Sequence, residues 1–215
     1  MPARLIHLRR PPVLQVQDEL FVPDGNILDE VDQRWAALCD LNSAYFDGRM
    51  YHVLGVHRNG YGGAVIHVIE CAYRFYAVQR QGFDLGVCGL GVKGLTIRNQ
   101  KALLGKRSAS VSVYRNKWEF APGGVVEPGK QPTETIVTEL HEETGLLVQS
   151  EPTPIAMICD SQAHTWEIIY TIKDAQGDAN PTPEYTELRW CERDKLPSDL
   201  SPIATSMISL WPKQT

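Results

Sequence analysis

Three glutamates at helical spacing are the residues of this sequence best placed to do chemistry together. Glu139, Glu142 and Glu143 stand at positions i, i+3 and i+4, which on an α-helix fall within roughly a quarter to a third of the circumference. Like charges at this spacing repel, at a cost of about 0.2–0.5 kcal/mol for each pair on an exposed helix. Hard divalent cations accept carboxylate oxygens, and Mg²⁺ is usually shared between carboxylates and substrate phosphates. The pattern therefore predicts a metal-binding face on this helix.

The segment around these glutamates carries the signals of a well-defined helix. We predict a helix over residues 132–143, because it opens with a proline suited to the first helical position and is followed by Gly145 as a C-terminal cap. Ile136, Val137 and Leu140 supply an adjoining apolar stripe that would dock on a sheet. His141 lies away from the centre of the glutamate face, so no role is assigned to it.

At these residues the sequence resembles the Nudix hydrolase family. The family signature is a glycine, five residues, a glutamate, seven residues, Arg-Glu, an apolar residue, any residue, Glu-Glu, any residue, a glycine and an apolar residue. The matching stretch runs from Gly124 through Lys130 to Thr138-Glu139-Leu140-His141-Glu142-Glu143-Thr144-Gly145-Leu146, after the similar lead-in Trp118-Glu119-Phe120-Ala121-Pro122-Gly123-Gly124. The resemblance covers about residues 85–196 in its order of elements. It implies that Mg²⁺ or Mn²⁺ is held by four groups: Glu139, Glu142, Glu143 and the carbonyl of Gly123.

Two positions of the motif depart from the family pattern. Lys130 stands where the family has glutamate, and Thr138 stands where it has arginine. In the family those two side chains help to hold the metal-binding glutamates, and losing both leaves no buried charge unpaired. Two readings follow: an active hydrolase with a relaxed motif, which we favour because the three glutamates remain, or a catalytically weak or silent domain that binds a nucleotide or a protein.

Two residues outside the motif are further candidates by the same resemblance. Glu184 precedes a predicted strand in the loop where family members often place another metal-ligand or base glutamate, although a solvated loop carboxylate is an equally good reading. Arg107, at the end of a predicted strand, resembles a frequent family arginine that could clamp a phosphate, and a surface ion pair is the alternative.

A second motif in the sequence does not indicate a dinucleotide-binding loop. Residues 89–94 match GxGxxG, but a dinucleotide fingerprint must open a helix, and the following Leu95-Thr96-Ile97 continues as strand. These glycines are better explained by backbone that passes close to a neighbouring element. No GxSxG motif and no convincing Cys-His pair indicates a covalent nucleophile.

Alternating and helical patterns predict the elements that would position these residues. Helices are expected over 28–41, 72–79, 132–143 and 199–210. Strands are expected over 14–22, 51–57, 64–70, 86–97, 102–107, 118–121, 154–160, 165–173 and 187–191. The first helix carries an apolar stripe of four residues, Ile27, Val31, Trp35 and Leu38, which needs a partner surface. We expect the catalytic domain to supply that surface.

Composition limits the class of protein. The chain has 215 residues, is 43% hydrophobic and 22% charged, and has a net charge of -5, which is typical of a globular protein without a broad basic surface for nucleic acid. Its five scattered cysteines never form CxxC, which argues against a disulfide framework or a zinc ribbon. Neither a signal peptide nor a membrane span is recognisable, so we expect a cytoplasmic protein.

We predict an α/β fold of the Nudix type, an α/β/α sandwich with a mixed sheet. A small N-terminal α+β region, residues 1–82, would pack on a Nudix domain, residues 83–215. By the resemblance, the reaction is hydrolysis of a diphosphate bond in a nucleoside diphosphate linked to another group, with Glu139 or Glu184 accepting the proton of the attacking water. Residues 45–48 and 127–128 loosely resemble the Nudix subgroup that acts on UDP-sugars. The expected partner is this small nucleotide-derived substrate, with no nucleic acid and no membrane, and a homodimer is left open.

Overall fold

The computed structural model describes residues 4–43 and 45–212. The strands in these residues are β1 (Leu5–His7), β2 (Val13–Phe21), β3 (Arg49–Arg58), β4 (Ala64–Ala72), β5 (Gly89–Arg98), β6 (Lys101–Arg107), β7 (Trp118–Phe120), β8 (Gly123–Val125), β9 (Thr153–Asp160), β10 (Thr165–Ile172) and β11 (Tyr185–Cys191). The helices are α1 (Leu28–Leu41), α2 (Tyr73–Gln79), α3 (Pro132–Thr144) and α4 (Pro202–Met207). The predicted α/β class with a mixed sheet is confirmed.

Strand β5 is the centre of the sheet. The main path of the sheet runs β1-β9-β10-β5-β3-β4-β2, and β6, β7, β8 and β11 branch from it. β5 pairs in parallel with β10 and antiparallel with β3, β6 and β8. Its glycines are close-approach positions, as predicted: a Cβ at Gly91 would lie 2.3 Å from Glu167 Oε2, and one at Gly94 would lie 2.4 Å from Pro122 Cδ. The GxGxxG stretch is therefore strand and opens no helix.

The first helix packs mainly within its own part of the chain. α1 has the predicted bounds, and its Val31 and Leu38 are buried against Phe75 and Val78 of α2 and against Val87. The α1 stripe therefore packs mainly on α2 of the N-terminal part and reaches the predicted catalytic domain, residues 83–215, through Val87. Helix α2 follows β4 directly, and its apolar face packs against α1.

Helix α3 forms as predicted, but it is rotated relative to the expected stripe. Ile136 and Leu140 are buried, whereas Val137 is 36% exposed. Glu143 and Thr144 take up the rest of the buried face. Gly145 caps the helix in the left-handed region with φ 75°. The helix thus turns an acidic residue, and not a valine, towards the sheet.

Other differences from the expected elements are local. The predicted helix over 199–210 is shorter, because the Ser201 hydroxyl accepts the backbone N–H of Ala204 and so sets the start of α4. Strand β5 begins at Gly89, three residues after the predicted start. β1 and β8 have only three residues each and were not predicted. Within the described residues, no helix has the length and apolar character needed to cross a bilayer.

Candidate active site

A cavity of about 770 Å³ lies between the N-terminal part of the chain and α3. Its lining includes the carboxylates Glu127, Glu139 and Glu184 together with residues 123–125. We call these three glutamates the carboxylate wall. The structure therefore brings three predicted site residues, Gly123, Glu139 and Glu184, to one cavity, whereas Glu142, Glu143 and Arg107 are not among the residues that line it.

Glu143 connects α3 to strand β8 beneath this cavity. Its side chain is buried, and Oε2 accepts the backbone N–H of Gly123 at 2.8 Å. Its other oxygen, Oε1, is buried without a hydrogen-bond partner in the described part of the chain. Burial raises the pKa of Glu143 well above its usual value, and the nearby carboxylate of Glu184 adds to the rise. A buried carboxylate oxygen without a partner is costly, so this atom is suited to a ligand.

Glu139 lies against the glycine that begins the motif. A Cβ at Gly124 would lie only 2.0 Å from Glu139 Oε1, so a larger residue there would displace the carboxylate. Burial, followed by repulsion from Glu184 and Glu142, raises the pKa of Glu139 to about 7. Glu142 itself is exposed. Among the described residues, no three histidine, cysteine, aspartate or glutamate side chains converge closely enough to hold a metal ion as they stand.

Arg107 and Glu184 belong to an ion-pair network that is buried at Glu119 and partly exposed at Glu184. Arg107 Nη1 lies 2.7 Å from Glu184 Oε1 and 3.7 Å from Glu119 Oε2. Lys93 Nζ lies 2.8 Å from the same Glu119 oxygen. Burial opposes ionisation of Glu119, but Lys93 and Arg107 outweigh it and hold its pKa below the usual value. Arg107 is therefore engaged by two carboxylates, and its predicted contact with substrate stays a prediction.

Sequence reasoning missed Lys93 and Glu119 as members of the site. Each is a charged residue in an otherwise buried strand, β5 and β7, and Glu119 is only 1% exposed. A charge in such a strand signals a buried partner of opposite sign, and that signal was available in the sequence. The partner itself is 26 residues away and could not be identified without the fold.

The two departures from the motif lie on the surface. Lys130 is exposed and forms an ion pair with Glu127 at 2.6 Å. Thr138 is also exposed. Neither change leaves a charge buried, so both are compatible with the fold.

Comparison with known proteins supports this architecture. The family model described as "NUDIX domain" matches residues 89–211. A protein of Xenopus laevis named m7GpppN-mRNA hydrolase NUDT17 is 44% identical over 72 residues, which cover 34% of this chain and 23% of that protein, so the match spans less than a quarter of this curated relative. A MutT NUDIX hydrolase from Burkholderia pseudomallei has a TM-score of 0.51 at 20% identity, covering 56% of this chain and 95% of that one, and this likeness shows the fold. A MutT protein from Methanosarcina mazei Go1 has a TM-score of 0.49 at 20% identity, covering 57% and 91% of the two chains.

Proposed function

The chain belongs to the Nudix family, whose model matches residues 89–211, and from that premise we propose that it hydrolyses a diphosphate bond in a nucleoside diphosphate linked to another group. The observation that carries the proposal is that three carboxylates, those of Glu127, Glu139 and Glu184, line one large cavity. Burial, followed by repulsion from Glu184, raises the pKa of Glu139 to about 7 and that of Glu143 well above its usual value. A divalent cation and a phosphorylated substrate are the natural partners of such a surface.

The carboxylate and carbonyl oxygens of these residues are the ligand types of a hard cation such as Mg²⁺ or Mn²⁺, which would have to draw them together. Glu139 and Glu143 would hold it, with the exposed Glu142 and the Gly123 carbonyl as further oxygen ligands, and the buried Oε1 of Glu143 is a ready donor. When bound, the ion neutralises diphosphate charge and makes water more acidic. This donor set contains only oxygen, which suits Mg²⁺ or Mn²⁺ better than a softer metal.

The protein's own side chains position the remaining participants. A water oxygen attacks one phosphorus, the bridging P–O bond breaks towards the leaving phosphate, and Glu139 or Glu184 accepts the proton of that water. Arg107 fixes Glu184 at the cavity through the 2.7 Å contact. A direct contact of Arg107 with a phosphate would require it to release Glu184, so in this geometry its contribution is to hold the base candidate in place.

A substrate screen tests the proposal. We would measure phosphate released from nucleotide products by a coupled phosphatase, using UDP-glucose, ADP-ribose and an m7GpppN cap analogue, each with Mg²⁺, Mn²⁺ or a chelator. UDP-sugars enter through the subgroup resemblance, and the cap analogue enters through the name of the Xenopus relative. We expect metal-dependent hydrolysis of at least one of them, lost in Glu139→Gln and retained in Glu151→Gln, which changes an exposed carboxylate outside this cavity.

The rival function is a silent Nudix domain that binds nucleotides or proteins without hydrolysis. The changes at Lys130 and Thr138 favour it. Metal-dependent nucleotide binding without turnover of any nucleoside diphosphate derivative would support this binding module and contradict the proposed hydrolase.

A further inference from the structure

Aromatic and basic residues line the same cavity as the carboxylate wall. Tyr45, Phe46 and Tyr73 line it, and we call these three residues the aromatic wall. The cations Arg49 and Arg115 line the same cavity. Apart from Arg115, which lies in the segment after β6, these residues come from the N-terminal part of the chain. One cavity is therefore lined by carboxylates, by aromatic rings and by two arginines.

Phe46 differs from Tyr45 and Tyr73, the other two residues of the aromatic wall. Tyr45 packs against Trp35 and stacks on Tyr73, with centroids 5.7 Å and 6.4 Å apart. Phe46 is 80% exposed and forms no aromatic pair with any described residue. Leu41, which lines the same cavity, is 85% exposed. Isolated exposed apolar residues are normal, but neighbouring ones in a concave site indicate a ligand surface.

The turn that carries Phe46 is fixed to the start of α2. Asp47 Oδ1 accepts the backbone N–H of Arg74 at 2.8 Å, and the Gly48 carbonyl accepts the N–H of Tyr73 at 2.8 Å. The Phe46 ring also lies over Gly48, where a Cβ would be 3.3 Å from its Cε1 atom. A ring held by a rigid turn presents a preorganised face, which reduces the entropic cost of stacking.

The two arginines of the cavity are free to meet an anion. Arg107 and Lys93 are committed to carboxylates. Arg49 and Arg115 form no ion pair with any described residue, and Arg115 donates only Nε to the Val111 carbonyl at 2.8 Å. The guanidinium Nη groups of Arg115 thus remain available to phosphate oxygens, which arginine binds well.

From this arrangement we propose that the N-terminal part of the chain supplies the nucleoside subsite, in which a planar base stacks on Phe46 and Arg115 contacts the phosphates. The inference rests on the proposed function and names the residues that would recognise the nucleoside of its substrate. Diphosphates without a base gain nothing from the aromatic wall. Stacking on an aromatic ring tolerates different bases, so Phe46 selects for a nucleoside without choosing which one.

Binding of non-hydrolysable compounds tests the subsite apart from catalysis. We would titrate the full chain, in Mg²⁺, with the α,β-methylene analogues of ADP, GDP and UDP and with methylenediphosphonate, which has no nucleoside. We expect at least one nucleotide analogue to bind about tenfold or more tightly than methylenediphosphonate. Phe46→Ala should remove about tenfold of nucleotide affinity and leave methylenediphosphonate binding unchanged, while Phe46→Trp restores the affinity. Arg115→Ala should weaken both classes by about tenfold.

Matched controls separate the subsite from surface effects. Tyr61→Ala removes another exposed aromatic ring, 77% exposed and outside the cavity, and Arg58→Ala removes an exposed arginine outside it. Both should bind every compound as the parent does. Parent protein that binds no nucleotide analogue, or a Phe46→Ala variant with unchanged nucleotide affinity, overturns the inference even if hydrolysis is found. Loss of nucleotide affinity in Phe46→Ala supports the subsite even if no compound is hydrolysed, in which case only the proposed hydrolysis falls.

Discussion

Arg107 Nη1 lies 2.7 Å from Glu184 Oε1 in the loop before β11. The same guanidinium Nη1 lies 3.7 Å from the buried Glu119, and its Nε donates to the Val113 carbonyl at 3.3 Å. Arg107 therefore joins three parts of the chain around one planar group. A guanidinium can serve such partners at once, whereas a lysine ammonium is a point charge on a flexible stem.

We predict that Arg107→Lys lowers kcat by about tenfold or more while KM changes little, because Glu184 loses its fixed position but the charge is kept. Steady-state kinetics on the substrate found in the screen would check this. Arg189→Lys is the matched control, because Arg189 forms an exposed ion pair with Glu187 at 2.5 Å on β11. Equal effects of the two variants, or a change confined to KM, would contradict a positioning role for Arg107.

The metal site makes a second prediction. Glu142→Gln and Glu143→Gln should each weaken Mg²⁺ binding and lower turnover at least about tenfold while the fold remains intact. In the parent, Mg²⁺ at a hundred times its Kd should stabilise the native state by about 2.7 kcal/mol, seen as a rise in Tm. If metal-free and Mg²⁺-saturated protein melt at the same temperature, the metal site is wrong.

The raised pKa of Glu139 predicts how the metal-free protein responds to pH. Because its pKa of about 7 lies above the usual 4.5, the folded state binds this proton more tightly than the unfolded state. The contribution to stability is complete below about 4.5 and is lost as pH rises to about 7. Unfolding measured in a chelator from pH 5 to pH 8 should show Glu139→Gln gaining stability relative to the parent as pH rises. Glu151→Gln should follow the parent, and a constant difference for Glu139→Gln would refute the buried position of this carboxylate.

The sequence predicted elements where a periodic pattern was long enough. Apolar spacing and end signals predicted the bounds of α1 and nearly those of α3. The spacing of the three glutamates predicted that they share one helix. Strand β8 was out of reach, because Gly123-Gly124-Val125 has little strand character of its own and forms by pairing with β5. The burial of Glu143 was equally hidden, because its partner is a backbone N–H of that unpredicted strand.

The aromatic wall of the cavity could not be located from sequence either. Phe46 and Glu139 are 93 positions apart and carry no shared motif. They meet at one cavity because β3 joins β5 beside β8. Only the sheet topology brings the aromatic wall and the carboxylate wall to one cavity.

We also predict that residues 83–215 do not fold stably without residues 1–82. His52 of β3 pairs with Gly89, and Val53 and Val56 lie in the same core as Leu90. Removing residues 1–82 would expose that core, so a fragment of residues 83–215 should be poorly soluble and unfold without cooperativity. Gel filtration and thermal unfolding beside the full chain would check this. A monomeric fragment with a cooperative transition would show instead that the Nudix part folds independently.

The departures from the Nudix motif lead to the last prediction. Lys130 and Thr138 are both exposed, so substitutions there should leave the core unchanged. Thr138→Arg places a guanidinium four residues before Glu142, where it can pair with that carboxylate and steady the metal-binding face. Lys130→Glu alone ends the surface pair with Glu127 and adds a repulsive charge beside it. The double variant is therefore the informative one.

We expect Lys130→Glu with Thr138→Arg to hydrolyse the substrate at least as fast as the parent, because the pair restores the family's means of holding the glutamates. The two single variants are the controls, and kcat and Mg²⁺ affinity are the measurements. Unchanged inactivity in parent and double variant alike would indicate a domain that is silent for another reason, such as a cavity that admits no substrate. A double variant that keeps its fold and its Mg²⁺ affinity but loses activity would assign Lys130 or Thr138 a catalytic role of its own. Their treatment as tolerated losses would then be wrong.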